Sequence, residues 1–329
     1  MWKQTSFDGS GLGLPSQFTL KTLVTASLPR MTMRYDLFSV KNEFRAHFTS
    51  TSRKGGGTYG ILEEFWRDDG QKQKIVLIKS PRVKDVSLRV EAFIQWIAQK
   101  CLAEQNLGSR IPQIVDLFTL PDGKDGFTMV EVQGSTLAST FLSQSKTIQH
   151  DILHVIAQTA ILLHILEIGL GLDHRDLKAD NLIIVNDPSI LTLHTESTTL
   201  KVYSPFTVIL VDFGFACLGA GPKGTLSVVN AGDTLPQLDP CPKEGRDLFH
   251  LIVSLYSVHQ ISSQFTPQLE KLFEEWMTVD GRATHTMAKK WASSEWIYLL
   301  TSTKQFVHPA CSPVSILQAI RAFDPTIFS

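Results

Sequence analysis

Asp176, Lys178, Asn181 and Asp212 are the residues whose types and spacing could do chemistry in this chain. The first three fall in Asp-His-Arg-Asp-Leu-Lys-Ala-Asp-Asn at 173–181, and the fourth opens Asp-Phe-Gly at 212–214 behind the apolar run 208–211. A carboxylate and an amide oxygen are hard ligands that suit magnesium, a cation commonly held together with phosphate oxygens. An aspartate can take or orient a hydroxyl proton, and a lysine two residues on can neutralise charge on a group in transit. Phosphoryl transfer is the reaction such a set could serve, because it asks for positioning and charge neutralisation rather than covalent help. Taken singly, either segment also reads as a polar turn beside a strand.

Together, His174-Arg-Asp-Leu-Lys178-x-x-Asn181 and Asp212-Phe-Gly214 resemble the catalytic loop and the magnesium-binding loop of the eukaryotic-type protein kinases, serine/threonine-like. The resemblance implies Asp176 and Lys178 as catalytic residues, Asn181 and Asp212 as metal ligands, and ATP with Mg2+ as cofactors. Upstream, Gly55-Gly-Gly57-Thr-Tyr-Gly60-Ile-Leu62 fits the family's G-x-G-x-x-G-x-V with Leu62 in the Val place, although a glycine run alone reads equally as a linker. Ile75-Val-Leu-Ile-Lys79 matches the V-A-I-K strand, whose lysine pairs with the α- and β-phosphates. Lys79 then needs an acidic partner. Glu91 supplies it from 87–105, a segment with the apolar spacing of an amphipathic helix, whereas Glu104 lies too far along.

The stretch 127–137 resembles the hinge that would hold adenine, with Met129, Val130, Glu131 and Val132 in ATP-binding places. Its register stays open by one residue, so that either Met129 or Val130 guards the back pocket. Leu77 and Ile183 complete the expected ATP-binding set.

These motifs need an α+β, two-lobed protein kinase-like fold to position them. The expected division is an N-terminal extension at 1–42, a β-rich small lobe with one long helix at 43–132, and a mainly helical large lobe at 133–329. A long helix is predicted over 147–169. A Ser/Thr-rich insertion at 186–204 lengthens a turn, and the activation segment begins at 212. Gly245-Arg-Asp-Leu-Phe-His-Leu resembles the following helix, with Asp247 placed to brace the catalytic-loop backbone.

Departures are as plain as matches. No A-P-E motif stands between Gly214 and Asp247, and Ser312 occupies the place of the arginine that would pair with its glutamate. Losing both members avoids the uncompensated buried charge that losing one would leave. Leu77 replaces a small residue against adenine, and Gln95 replaces an apolar one. Thr225 resembles the threonine that contacts the catalytic loop, which leaves little room for an activating phosphate before it, and Phe215 implies a preference for Ser acceptors.

Length and composition bound the rest. At 329 residues, 43% hydrophobic and 19% charged, the chain can bury a sizeable core. A net charge of −1 gives no basic field, so nucleic acid is not an implied partner. Four scattered cysteines predict reduced thiols in an intracellular protein. The apolar stretch 152–172 carries His154, Gln158, His164 and Glu167, which predicts a buried helix rather than a bilayer span and no membrane partner. With no signal-peptide core or lipidation motif, the expected location is cytoplasmic or nuclear. Three functions remain open: phosphorylation of Ser/Thr hydroxyls on protein substrates, a nucleotide-binding pseudokinase that acts by docking, and a small-molecule kinase on a related fold.

Overall fold

The computed structural model describes residues 33–36, 48–56, 60–68, 73–82, 88–119, 124–143, 148–194, 199–219, 227–231, 240–290, 295–303 and 305–328. The chain is α+β. Six strands form the first sheet: β1 (Met33–Asp36), β2 (Phe48–Gly56), β3 (Gly60–Asp68), β4 (Gln73–Pro81), β5 (Ile114–Thr119) and β6 (Asp125–Val130), in the order β1-β5-β6-β4-β3-β2. β4 holds Ile75, Val76 and Ile78, three β-branched residues in four, and is bonded on both sides, to β3 and to β6, as a strand of that composition favours. β1 falls within the stretch that sequence reading leaves as an extension, yet it pairs parallel with β5.

Helix α1 (Arg89–Ala103) buries Phe93, Ile94, Ile97, Cys101 and Leu102, the spacing of one helical side, between this sheet and the helix 148–170. Its start is fixed by two bonds to β6. Arg89 Nε sits 2.6 Å from Asp125 Oδ2, and the Leu88 N–H donates to the Asp125 carbonyl at 2.9 Å. Anchored there, the first turn carries Glu91 toward β4.

β7 (Ser135–Thr136) and α2 (Leu137–Ser143) lead to α3 (Ile148–Leu170), where most residues are buried. By length and composition α3 could cross a membrane, but 78% of its most apolar window is buried inside the molecule. Its buried Gln158 makes every bond an amide can offer. The Oε1 accepts from Arg110 Nη1 (3.1 Å), Ser189 Oγ (3.1 Å) and the Val208 N–H (3.2 Å), while Nε2 donates to Ser204 Oγ (2.9 Å) and the Phe206 carbonyl (3.1 Å).

His154, also on α3, is buried with its ring edge-on to His150 (4.4 Å) and Phe206 (6.2 Å). Burial, then His150, lowers its pKa to about 4, with Asp324 pulling the other way. The folded form therefore binds its proton less readily than the unfolded form, and the stability tied to the neutral ring, complete above about pH 6.5, is lost as pH falls toward 4. His154→Leu should flatten that acid limb, removing about 2–3 kcal/mol of the stability difference between pH 7.5 and 4.5. Denaturant titrations of both proteins at the two pH values measure it, and parallel limbs would refute it.

After α3 come β8 (Leu172–Asp173), β9 (Leu182–Val185), β10 (Ser189–His194), β11 (Thr199–Ser204), β12 (Thr207–Leu210), β13 (Cys217–Gly219) and β14 (Ser227–Asn230). The stretch read as a Ser/Thr-rich turn is thus a β10–β11 hairpin with strict alternation. Leu191, Leu193, Leu200 and Val202 face the core, and Ile190, 59% exposed, pairs across with Tyr203 on the outer face. Beyond it lie α4 (Arg246–Ser257), α5 (His259–Ser262), α6 (Pro267–Trp276), β15 (Thr278–Val279), β16 (Arg282–Ala283), α7 (His285–Lys290), α8 (Glu295–Thr301) and α9 (Pro313–Phe323). Ser312, in the place of the expected arginine, caps α9 by accepting from the Ser315 N–H, with Pro313 in the first turn. Gly245 precedes α4 with φ +77°, and a Cβ there would fall 2.1 Å from the His308 carbonyl oxygen.

The cysteine expectation is overturned in part. Cys217 on β13 and Cys241 form a disulfide across 24 residues, while Cys101 and Cys311 are free and buried. No sequence spacing signals the pair. Close backbone packing makes it, since the Gly219 N–H donates to the Gly171 carbonyl at 2.8 Å and a Cβ on Gly219 would overlap the Cys241 carbonyl.

Candidate active site

Lys79 is the centre of the site. It lies on β4 between Leu62 of β3 and Phe127 of β6, and its stem is covered by Gly60, where a Cβ would come within 2.8 Å of Lys79 Cε. Its Nζ is 2.5 Å from Glu91 Oε1 and 2.8 Å from Asp212 Oδ1, so the β4 strand, α1 and the 212–214 loop meet at one ammonium. Burial disfavours the charge on Lys79, but the two carboxylates outweigh it and hold its pKa above the ordinary lysine value. Asp212 responds in kind. Burial would raise it, yet Lys79 and the Gly214 N–H bring it down to about 2, so it stays a carboxylate, with its side chain 35% exposed. Glu91 is fully enclosed and burial raises its pKa against the pull of Lys79; its Oε2 has no hydrogen-bond partner among the described residues.

The loop between β8 and β9 carries the second group. Asp176 is 4% exposed, and Lys178 Nζ approaches its two oxygens at 2.9 and 3.1 Å. The Asn181 amide nitrogen donates to the Asp176 carbonyl (2.8 Å) and to its Oδ2 (3.2 Å), which turns the amide oxygen of Asn181 away from Asp176. Asp247 on α4 braces this loop by accepting the His174 N–H (2.6 Å) and the Arg175 N–H (2.8 Å), as the resemblance implied. Burial and the adjacent Asp173 carboxylate raise the pKa of Asp247, against the pull of those N–H groups and Arg246. Ser254 of the same helix takes the Ala179 N–H at 3.1 Å. His174 ties the two loops together, its Nε2–H donating to the Val211 carbonyl at 3.0 Å and its ring lying 5.0 Å from Phe213. Arg175 and Asp212 both sit at φ +65°, a conformation costly for residues with side chains that concentrates at functional sites.

The expected adenine contacts divide by register. Met129 pairs with Leu77 across β4 and β6 and is buried, with Gln95 Nε2 3.6 Å from its sulfur; Val130 is 38% exposed. Of the two, Met129 is therefore the one turned toward helix α1 and the core. Gln95 is accommodated because the same nitrogen donates to the Pro112 carbonyl at 2.9 Å. Glu131 and Val132 are half-buried, and the chain after them presses on Ile183, since a Cβ on Gly134 would meet Ile183 Cγ2 at 2.7 Å. Leu62 and Leu77 are half-buried against the core. Gly55 pairs with Leu62 between β2 and β3, while Gly57 and Thr225 lie outside the described residues.

Sequence reasoning missed Tyr298. This α8 residue donates its hydroxyl to Asp176 Oδ1, and its ring stacks on Phe215 at 6.2 Å between centroids. A contact across 122 residues leaves no local signal.

No protein-family model matches the chain, and no curated protein matches it. One solved structure to which it is similar is a crystal structure of a kinase domain, at 17% identity over 86% of this chain and 92% of that one, with a TM-score of 0.42. A likeness that low carries no weight for fold or function beside the geometry above.

Proposed function

We propose that the protein is an ATP- and magnesium-dependent kinase of two-lobed, protein kinase-like fold that phosphorylates serine and threonine hydroxyls on protein substrates. One observation carries this reading: Lys79 is joined at once to Glu91 and to Asp212. Three segments far apart in sequence, each matching the family pattern, converge on that contact.

The donor set fits the cofactors. Asp212 keeps its negative charge and is partly open, and the amide nitrogen of Asn181 is committed to Asp176, which leaves its oxygen for a cation. Both are hard oxygen donors of the kind magnesium takes. Lys79, fixed by two carboxylates, would hold phosphate oxygens, and Leu77, Met129, Val130, Glu131, Val132 and Ile183 would line the adenine place. Bound ATP with magnesium would supply the transferable phosphoryl group and offset its charge. Of the chain's own residues, Asp176 would accept the acceptor-hydroxyl proton, Lys178 would neutralise charge beside it, and Asp247 would hold the loop in shape through His174 and Arg175. This reading takes a protein with a Ser/Thr acceptor as partner, neither nucleic acid nor membrane, and the cytoplasm or nucleus as its location.

A second reading, a nucleotide-binding pseudokinase, is favoured by one contact, the Tyr298 hydroxyl on Asp176. Purified protein with magnesium and labelled ATP, offered Ser and Thr peptides and small alcohols, separates the readings, since binding without transfer would select the second. The metal assignment makes a further prediction. Asp212→Ala should weaken magnesium-dependent ATP binding by about 10–100-fold, a loss typical of disturbing a metal site, and more than Asn181→Ala, because an amide oxygen brings no full charge. Titrating magnesium at fixed nucleotide tests this; equal effects of the two substitutions, or binding indifferent to magnesium, would reject it.

A further inference from the structure

Tyr298 reaches Asp176 from α8, and its ring is fixed on two sides, stacked on Phe215 and edge-on to His250 at 5.3 Å. Its hydroxyl donates to Asp176 Oδ1, while Lys178 reaches both carboxylate oxygens and Asn181 donates to Oδ2. With Asp176 only 4% exposed, an outside hydroxyl has no access to that carboxylate while Tyr298 holds it. The phenol also lies within the fields of both Asp176 and Asp212, which add to burial in raising its pKa. A hydroxyl hydrogen-bonded to the proton acceptor meets the first geometric requirement of an acceptor.

We propose that Tyr298 is an internal acceptor, a site at which the chain phosphorylates itself. This inference rests on the reading of Asp176 as proton acceptor in phosphoryl transfer from ATP. In the step, a bond forms between Tyr298 Oη and the γ-phosphorus, the bond from that phosphorus to the bridging oxygen breaks, the phenolic proton passes to Asp176, and ADP leaves. An acceptor preference for Ser over Thr concerns peptides docked from outside; the depth of Tyr298 is set by the α8 backbone. Being held in place, its hydroxyl also has the kinetic advantage of an intramolecular reactant. The product would carry about two negative charges beside the carboxylates of Asp176 and Asp212. Repulsion would then drive Tyr298 off Asp176 and open it to other hydroxyls.

The test uses phosphatase-treated full chain with magnesium and ATP, phosphosite mapping by mass spectrometry, and a Ser peptide as external acceptor. Wild type, Tyr298→Phe and Asp176→Asn are compared, with thermal melting as a check on folding; Tyr298→Phe removes only the hydroxyl and keeps the ring contacts. The wild type should gain one phosphate on Tyr298 at a fractional rate unchanged by tenfold protein dilution, and Asp176→Asn should gain none. Peptide phosphorylation should show a lag in wild type that Tyr298→Phe abolishes. Transfer to peptide with Tyr298 unmodified, modification that slows on dilution, or a lag that persists in Tyr298→Phe would overturn the proposal. Transfer to no acceptor at all would instead sink the kinase reading beneath it.

Discussion

Asp176→Asn is expected to lower turnover by about 10²–10⁴-fold while leaving ATP affinity nearly unchanged. The substitution keeps the side-chain shape, the brace from Asp247 onto the backbone of His174 and Arg175, and the Asn181 bond to the residue 176 carbonyl. What it removes is the capacity to take a proton and the negative charge opposite Lys178. Lys79 bonds to both Glu91 and Asp212, and the substitution leaves that cluster intact. A single-turnover rate together with a calorimetric ATP affinity separates the two quantities. Turnover comparable to wild type would reject Asp176 as proton acceptor; a matching loss of ATP affinity would place it in binding instead.

Arg246→Met should destabilise the fold by about 3–5 kcal/mol, the usual consequence of removing one partner from a buried ion pair. The Arg246 guanidinium is buried against Asp173, with Nε 2.9 Å from Oδ2, and it also donates to the Pro240 carbonyl at 3.1 Å. Without it Asp173 would keep the Lys243 N–H at 2.7 Å but would face Asp247 with no compensating cation. Adding Asp173→Asn to Arg246→Met should restore much of the loss, because the orphaned charge is gone. Urea unfolding of the two single variants and the double variant gives the coupling energy directly. Additive losses would mean that Arg246 stabilises mainly through packing and Pro240.

The parts of the site legible in the sequence are those where chemistry is packed into a few consecutive residues. Asp176, Lys178 and Asn181 share one loop, and Asp212 heads another, so residue types alone announce them. Lys79 and Glu91 are 12 apart and were reachable because a strand and an amphipathic helix each have a period that fixes which residues face inward. Which of Met129 and Val130 turns inward was not reachable that way. It depends on Gln95 of α1 meeting Met129 of β6, a contact that exists only once helix and sheet are assembled. The same holds for the Cys217–Cys241 bond and for Tyr298 on Asp176. The β10–β11 hairpin is a different case. Its period-2 pattern is present in the residues, but Ser and Thr content suggests a loop, and the alternation carries the information that composition hides.

Gln158 gives that hairpin an unexpected standing. Chain segments added to a fold are often treated as detachable modules, to be trimmed or exchanged at their ends. Here the amide on α3 draws partners from Ser189 and Ser204 at the base of the hairpin as well as from Arg110, Phe206 and Val208 outside it. Excising 189–204 would strip it of one donor and one acceptor in a place water does not reach, and the same deletion would uncover the α3 face now lined by Leu191, Leu193, Leu200 and Val202. The hairpin and a helix position 31 residues earlier are thus physically linked, because removing the first leaves part of the amide at the second unpaired in the core.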